Sequence, residues 1–287
     1  MSKLSLKLPA PAKINLFLHV TGRRPDGYHT LESLLVPIGC CDWITLSVRP
    51  DAEVVRSRGN EGVSAQDDLA VRAARLLQRR CDAAQGVDIE LDKRIPAGAG
   101  LGGGSSDAAT VLLGLNRLWD LRLSRSALME LALELGADVP FFIFGAPAVA
   151  RGMGDALESY SVPPIWFVVL TARTQVSTAF VFAAPELTRH TPSAKIRAFS
   201  EAYGGNDLQA VAVSRFPEIS ANLAALSREA RQGIRVAMSG SGGSVFAAFA
   251  DEGRAVQALS HVARKSGAAG FVARALDRHP LQHFAAP

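Results

Sequence analysis

The amino-acid sequence predicts an α+β fold in two lobes. Strand-like and helix-like patterns are mixed along the chain, without the regular alternation that gives a parallel sheet. The 287 residues, of which 48% are hydrophobic, exceed the size at which a single core stops growing. The pair Pro163-Pro164 is the clearest break between patterned segments. We therefore expect an N-terminal lobe over residues 1–162 and a C-terminal lobe over residues 163–287.

The individual elements follow from hydrophobic periodicity. The predicted strands are 13–20, 43–49, 87–91, 165–170, 236–238, 245–250 and 271–276. The predicted helices are 69–81, 107–118, 125–135, 208–213, 219–232 and 253–266. In the first strand the even-numbered residues from Ile14 to Val20 are expected to share one face, with Lys13 and Asn15 together on the other.

Charge and composition limit the classes of function. A formal net charge of +4 suits anionic small molecules and is also compatible with nucleic acid. The densest basic stretch, Arg72–Arg80, has helical spacing with apolar residues between the arginines, which is typical of a solvated helix face. No nucleic-acid-binding motif accompanies it, so we expect no nucleic-acid partner.

The chain also lacks the signals of a membrane or secreted protein. No apolar run reaches the length of a membrane span, and the first residues do not form a secretory signal. The three cysteines, Cys40, Cys41 and Cys81, cannot all pair, and adjacent cysteines are a poor start for a zinc site. We therefore expect a cytoplasmic protein with reduced cysteines and no membrane partner.

Segment Pro96–Ala109 joins five glycines and two serines to an apolar, helix-like run. Glycine tolerates positive φ and has no Cβ to hinder a ligand. The free N–H groups and the dipole at a helix N-terminus attract anions. The segment therefore predicts a phosphate loop that holds a triphosphate. The residues expected to bind the nucleotide are Pro96, Ala97, Gly98, Ala99, Gly100, Leu101, Gly102, Gly103, Gly104, Ser105 and Ser106.

Other interpretations of this loop fit its sequence less well. A Walker A loop needs a lysine after its last glycine, whereas Gly104 is followed by Ser105. Glycines at 98, 100 and 103 match the dinucleotide-binding pattern, but the preceding predicted strand ends at residue 91 rather than at the first glycine. The dinucleotide interpretation and a flexible linker stay open as alternatives.

A second glycine-serine segment, Ser239–Ser244, lies between two predicted strands of the C-terminal lobe. It is either an ordinary hairpin connection or a second wall around the same ligand, because a tight turn needs only two to five residues and usually one glycine.

Several polar residues outside these loops are candidates for the chemistry. A lysine on the polar side of a strand, such as Lys13, is usually solvated. Tyr28 and His29 follow a Pro-Asp-Gly turn that would present them at a rim. Asp138 precedes Val139-Pro140, which is typical of a helix N-cap. A carboxylate in apolar surroundings near a lysine can also accept a proton from a hydroxyl, and both roles are compatible.

Five blocks of the chain resemble the GHMP kinase superfamily in order and spacing. They are Pro11–Leu16, Pro25–His29, Pro96–Ala109, Ala137–Phe142 and Ser239–Phe246. The resemblance covers nearly the whole chain, and the second and fourth blocks are its most specific parts. It implies the two-lobed GHMP kinase fold, with a ribosomal-protein-S5-like N-terminal lobe and a ferredoxin-like C-terminal lobe. It also implies ATP and Mg²⁺ as cofactors and an acceptor alcohol that carries a cytidine diphosphate.

The resemblance further implies roles for single residues. Asp138 would take the proton from the acceptor hydroxyl, and Lys13 would contact the transferred phosphoryl group. The positions that match substrate-binding residues are Asn15, Tyr28, His29, Thr178 and Phe182. His29 can offer both a donor and an acceptor to a pyrimidine edge.

The chain departs from the family pattern before Leu69, where Asp67-Asp68 stand in place of a common asparagine. A carboxylate cannot donate as an amide does, so Asp68 is left out of the predicted site. Asp107 suits the helix dipole, and its role stays open, as do the oligomeric state and the magnesium ligands. Other functions to be distinguished are a homoserine, mevalonate or sugar kinase of the same superfamily, a dinucleotide-dependent oxidoreductase and a basic nucleic-acid-binding module.

Overall fold

The computed structural model describes residues 4–59, 62–194, 205–230 and 235–286. The strands are β1 (Ser5–Arg23), β2 (His29–Arg49), β3 (Val54–Arg58), β4 (Gly86–Asp92), β5 (Ala148–Gly152), β6 (Ala156–Ser159), β7 (Trp166–Thr171), β8 (Val236–Ser239), β9 (Ser244–Phe249) and β10 (Gly270–Arg274). The helices are α1 (Leu69–Arg80), α2 (Gly103–Leu118), α3 (Arg125–Leu133), α4 (Val139–Phe144), α5 (Thr178–Ala183), α6 (Gln209–Arg215), α7 (Pro217–Glu229) and α8 (Glu252–Ser266), with a 3₁₀ turn at Gln282–Phe284.

The first sheet is organised around β2. Its order is β3-β4-β2-β5-β6, and β1 pairs with β2 in addition. β2 pairs with β5 over Leu31–Leu35 and with β4 over Trp43–Arg49. Between Leu35 and Trp43, β2 changes its partner from β5 to β4. Because Trp43 pairs with Asp92, the residue just before Trp43 lies close to the chain that follows β4.

β1 and β2 are longer than predicted. Pro9 and Pro11 lie within β1, where proline is tolerated because, among the described residues, β2 is the only strand that pairs with it. The prediction that Ile14 to Val20 share one face is wrong, because the register shifts between Asn15 and Phe17. Ile14 and Leu16 pack in a cluster between the sheets, whereas Leu18 and Val20 join another cluster.

Hydrophobic periodicity did not predict the shortest strands and helices. The strands β3, β5 and β6 have four or five residues each, and α4 and α5 have six. Periodicity needs a longer window than these elements provide, so they are defined mainly by pairing and packing. The elements predicted elsewhere are present with shifted ends, as is usual for boundaries read from sequence.

Helix α2 brings its N-terminus under the phosphate loop. The helix is buried along most of its length, and Gly114 permits close packing on the first sheet, since a Cβ there would lie 2.6 Å from Leu8 Cδ1 and Leu46 Cδ1. It begins at Gly103 rather than at Asp107, so the predicted start is wrong. Because the helix starts early, the left-handed glycines of the loop are only those at 98, 100 and 102.

The second sheet has the order β10-β7-β9-β8. In chain order this is 4-1-3-2, the arrangement of a ferredoxin-like unit. It packs on the first sheet through an apolar cluster that includes Ile14, Phe167 and Phe246. Leu276 N also donates to Pro37 O at 2.8 Å. The division at residues 162 and 163 stays a prediction.

Among the described residues, no helix combines the length and the apolar character that crossing a membrane would require. The arginines of α1 lie on its exposed side, opposite a buried face that includes Val71, Ala74 and Leu77. That exposed side is the solvated helix face that the spacing predicted.

Candidate active site

A cavity of about 770 Å³ lies beside the phosphate loop, and residues of β1, α5 and the second glycine-serine segment also line it. Its size is typical of small-molecule sites. The predicted site residues that line it are Lys13, Asn15, Pro96, Ala97, Gly98, Ala99, Gly100, Leu101, Gly102, Gly103, Gly104, Ser105, Asp138, Thr178 and Phe182. Ser106 is fully buried behind the loop, and Tyr28 and His29 lie outside the lining.

The two glycine-serine segments contact each other backbone to backbone. A Cβ on Gly100 would lie 2.3 Å from Ser239 O, and one on Gly243 would lie 2.7 Å from Ala99 Cα. Ser239 Oγ donates to Gly100 O at 3.2 Å. The second segment does connect the antiparallel strands β8 and β9, as a hairpin does. It also supports the phosphate loop, and its residues Gly240 and Ser241 reach the cavity.

Lys13 is buried, with 4% of its surface exposed. The expectation of a solvated lysine is wrong because both faces of β1 are covered in this region. Its backbone N donates to Leu101 O at 2.9 Å, which ties β1 to the loop. Its ammonium donates to Asn15 Oδ1 at 2.5 Å and lies 3.5 Å from Asp138 Oδ2.

Asn15 is held in one orientation by the side chain of Ser33. The Ser33 hydroxyl donates to Phe17 O at 2.6 Å, so it accepts from Asn15 Nδ2 at 2.8 Å. The amide oxygen of Asn15 therefore faces Lys13. Ser33 was not predicted as a site residue, because a serine within a strand carries no sequence signal of its own.

Asp138 occupies the N-cap position of α4, yet its side chain makes no capping hydrogen bond. Its carboxylate is 42% exposed and pairs with Lys13. Pro140 in the first turn of α4 lacks an N–H, so one of the donors that a cap would satisfy is missing. The carboxylate is therefore directed to the cavity, where it can accept a proton from a bound alcohol.

Phe182, in the cavity lining, forms an aromatic pair with His29, which lies outside it. The rings of His29 and Phe182 stack at 5.1 Å between centroids and 29° between planes. His29 Nε2 accepts from Arg189 Nε at 3.2 Å. Burial, the Arg189 guanidinium and Arg23 together lower the pKa of His29, so its ring is neutral at pH 7. Tyr28 is 66% exposed and extends into solvent beside this pair.

Thr178 begins helix α5, and its hydroxyl is 2.7 Å from Ser241 Oγ. This contact links the predicted substrate-binding helix to the second glycine-serine segment. Phe182 lies one turn further along the same helix. The two residues therefore reach the cavity from one side, as expected for positions four apart in a helix.

Asp68 and Asp107 have different surroundings. Asp68 Oδ1 accepts from Ala70 N at 2.9 Å as the N-cap of α1, and Oδ2 pairs with Arg56 at 2.5 Å. Asp107 pairs with Lys93, which also contacts the buried Asp42. Burial raises the pKa of Asp107 to about 7, although the Lys93 ammonium opposes the rise.

The cysteines are unpaired and partly buried. Burial raises the pKa of Cys40 and Cys41 to about 11, so both are thiols at neutral pH. Within the described ranges, no group of three or more His, Cys, Asp or Glu side chains is arranged to hold a metal ion.

Comparisons with known proteins place this chain in a family. The family described as GHMP kinases N terminal domain matches residues 68–146, and GHMP kinases C terminal matches residues 183–269. A 4-diphosphocytidyl-2-C-methyl-D-erythritol kinase of Thiobacillus denitrificans (strain ATCC 25259 / T1) is 53% identical over 98% of this chain and 99% of its own.

Solved structures agree with these matches. A crystal structure of 4-(cytidine 5'-diphospho)-2C-methyl-D-erythritol kinase aligns with a TM-score of 0.79 and 37% identity, over 94% of this chain and 99% of its own. A homoserine kinase from Cytophaga hutchinsonii ATCC 33406 aligns with a TM-score of 0.70 and 16% identity, over 97% and 96% of the two chains. At that identity the second likeness supports the fold alone.

Fold and family matches together define an ATP-dependent kinase of the GHMP superfamily. The predicted α+β class and two-lobed GHMP kinase fold are confirmed. Within the superfamily, the chain belongs to the family of 4-diphosphocytidyl-2-C-methyl-D-erythritol kinases. This membership decides against the dinucleotide-dependent oxidoreductase and the nucleic-acid-binding module.

Proposed function

We propose that the protein transfers the γ-phosphoryl group of ATP to the 2-hydroxyl of 4-diphosphocytidyl-2-C-methyl-D-erythritol, in the non-mevalonate route to isoprenoids. The names of its relatives support this substrate. The observation that carries the chemistry is the convergence in one cavity of the phosphate loop, the Lys13–Asp138 pair and Phe182. The cytoplasmic location stays a prediction.

Phosphoryl transfer requires the donor phosphate and acceptor oxygen in line, with the negative charge on the transferred group neutralised. The N-terminus of α2 and the amides of the phosphate loop would bind the triphosphate. Lys13 would compensate charge on the transferred group. Asp138 would accept the proton of the 2-hydroxyl as the new P–O bond forms, and ADP would leave.

Magnesium bound to the triphosphate would neutralise part of the charge on the transferred group. Among the described residues no three His, Cys, Asp or Glu side chains converge on one point, which fits the mode in which Mg²⁺ is held mainly by phosphates and water. The hydroxyl of Ser105, on the first turn of α2 and in the cavity lining, is the group that would hold it.

The side of the cavity formed by Thr178 and Phe182 supports a cytidine-bearing substrate over homoserine, mevalonate or a sugar. The flat face of Phe182, stacked on His29, suits a planar pyrimidine base. An aliphatic acceptor would not stack on the flat face of Phe182.

Asp138→Asn is the variant that tests the proposed base. Because general-base help is worth about 10²–10⁴ in rate, kcat should fall by that factor while the Kd for ATP stays within about threefold. ADP release with the cytidine substrate, homoserine and mevalonate as acceptors measures both activity and specificity. Asp251→Asn is the matched control, since Asp251 is also an N-cap but lies outside the cavity lining. A kcat for Asp138→Asn within about tenfold of wild type would remove Asp138 as the base.

A further inference from the structure

A charged cluster lies beside the phosphate loop, and the proposed transfer step does not use it. It consists of Asp42, Lys93 and Asp107. Two of its members, Lys93 and Asp107, reach the cavity lining, whereas Asp42 does not. Asp42 is fully buried, and Asp107 is 3% exposed. Lys93 Nζ contacts Asp42 Oδ2 and lies 2.5 Å from Asp107 Oδ2. Burying ionisable groups together is expensive, and such clusters are a weak source of stability.

The cluster reaches both ends of the phosphate loop. Asp42 Oδ1 accepts from the backbone N–H groups of Arg94 at 2.5 Å and Ile95 at 2.8 Å, directly before the loop. Asp107 lies in the first turns of α2, directly after it. Lys93 joins the two carboxylates. The chain that enters the loop and the helix that leaves it are therefore tied to one ammonium group and, through Asp42, to β2.

The two carboxylates are used differently. Both oxygens of Asp42 act as acceptors, one toward two amides and the other toward Lys93. Asp107 Oδ2 faces Lys93, whereas Asp107 Oδ1 is buried without a hydrogen-bond partner among the described residues. An amide group could therefore replace the carboxyl of Asp107, with its oxygen on Lys93. An amide in place of the Asp42 carboxylate would direct its nitrogen either at the Lys93 ammonium or at the backbone N–H groups of Arg94 and Ile95. All of these groups are donors, so the amide nitrogen would have no acceptor.

We propose that Asp42, Lys93 and Asp107 form a clamp that holds the two ends of the phosphate loop at the separation needed to bind ATP. The three are positioning residues. Fixing the loop before the ligand arrives lowers the entropy cost of binding, so loss of the clamp acts on ATP affinity. This inference rests on the proposed role of the phosphate loop in holding ATP.

The test compares Asp42→Asn with Asp107→Asn. Both variants replace one carboxyl of the same cluster by an amide of nearly the same size, so a difference between them reports the pattern of acceptors. Calorimetry with magnesium-ATP and no acceptor should show a Kd raised about tenfold or more in Asp42→Asn and within about threefold of wild type in Asp107→Asn. In the coupled assay, kcat and the KM for the cytidine substrate should stay within about threefold in both.

Arg49→Met provides a matched control. Arg49 also lies between two carboxylates, Asp51 and Asp88, and has a similar exposed fraction, 26% against 22% for Lys93. It is not in the cavity lining. Its replacement should lower the melting temperature and leave the Kd for ATP unchanged.

Should Asp42→Asn fail to fold, the double variant Lys93→Met/Asp107→Asn carries the test. It keeps the amide contacts of Asp42 but cuts the link to α2, so its Kd for ATP should exceed that of Asp107→Asn about tenfold. Equal affinities in the two single variants, or an unchanged Kd in the double variant, would overturn the clamp. Absence of ATP binding to the wild-type protein would instead contradict the proposed function.

Discussion

The two sides of the cavity are built from different parts of the chain. The side formed by the phosphate loop presents main chain, held against the main chain of Ser239–Ser244 at distances that exclude a Cβ. The side formed by Phe182 and Thr178 presents side chains from a six-residue helix. Main-chain recognition depends on backbone position, so the first side should tolerate little change. Side-chain recognition is divided among residues, so the second side should lose affinity in smaller steps.

Gly100→Ala should have the largest effect. The new Cβ would lie 2.3 Å from Ser239 O and 2.9 Å from Gly242 O, both backbone atoms that cannot rotate away. The two segments must separate, and a displacement of about 1 Å can cost about 10² in rate. We expect kcat/KM for ATP to fall at least about a hundredfold.

Gly267→Ala is the control for Gly100→Ala, because it separates the effect of the steric contact with Ser239 from the effect of the backbone strain. Gly267 has nearly the same φ, +68° against +73°, but no atom lies within 4 Å of its Cβ position. It should lower the melting temperature without changing kcat/KM. If the two variants behave alike, strain alone explains Gly100, and the difference between the two sides of the cavity loses its basis.

Gly102→Ala should have a smaller and different effect. Its Cβ would lie 3.0 Å from Lys13 Cγ and 3.0 Å from Phe142 Cζ, which are side-chain atoms able to move by a few tenths of an ångström. Displacement of Lys13 should lower kcat about tenfold, while the Kd for ATP stays within about threefold. A rise in Kd with unchanged kcat would show that Gly102 serves the nucleotide instead.

Phe182→Ala tests the side of the cavity that presents side chains. Stacking of a base on an aromatic ring is worth about 1–3 kcal/mol, so the KM for the cytidine substrate should rise roughly tenfold or more, with the KM for ATP unchanged. Phe180→Ala is the matched control, because Phe180 lies on the same helix but packs edge to face on Phe216. Equal effects of the two variants on the KM for the cytidine substrate would contradict a stacking role for Phe182.

The difference between the main-chain side and the side-chain side of the cavity also explains which features the sequence could predict. The loop before α2 was predictable from its glycine density. Its binding of phosphate stays a prediction. The contact of Gly100 with Ser239 was not predictable, since nothing local in either segment encodes their approach. The glycines at 103 and 104 were assigned to the loop, whereas both belong to α2. A glycine count indicates a loop but does not give its end.

The buried polar residues show a similar limit. Its place on the polar side of a strand would make Lys13 solvated, and only the family resemblance assigned it to the site. Tertiary packing covers both faces of β1. Asp42, Lys93 and Ser33 gave no signal, because a single polar residue in or after a strand is usually solvated. Their partners lie 51, 14 and 18 positions away in the chain. Such contacts become visible only when the topology is known.

His29, which stacks on Phe182, gives the smallest of the expected effects. Burial lowers its pKa, and the charges of Arg189 and Arg23 add to the effect, because protonation would bring a third positive charge to the same place. The folded-state pKa therefore lies below the ordinary 6.5. kcat/KM for the cytidine substrate should be constant above that ordinary value and fall only as the pH drops through the lowered pKa, when Nε2 can no longer accept from Arg189.

Arg23→Gln removes one of the two cations that act on His29. The His29 resonances, followed by NMR, should then titrate at higher pH than in the wild type, and the acid limb of kcat/KM should move in the same direction. Arg24→Gln is the matched control, because Arg24 pairs with Asp26 and does not affect the pKa of His29. A titration of His29 at or above its ordinary pKa in the wild type would mean that the ring is solvated. In that case Phe182 alone would provide the surface for the base, and the acid limb would have to come from another group.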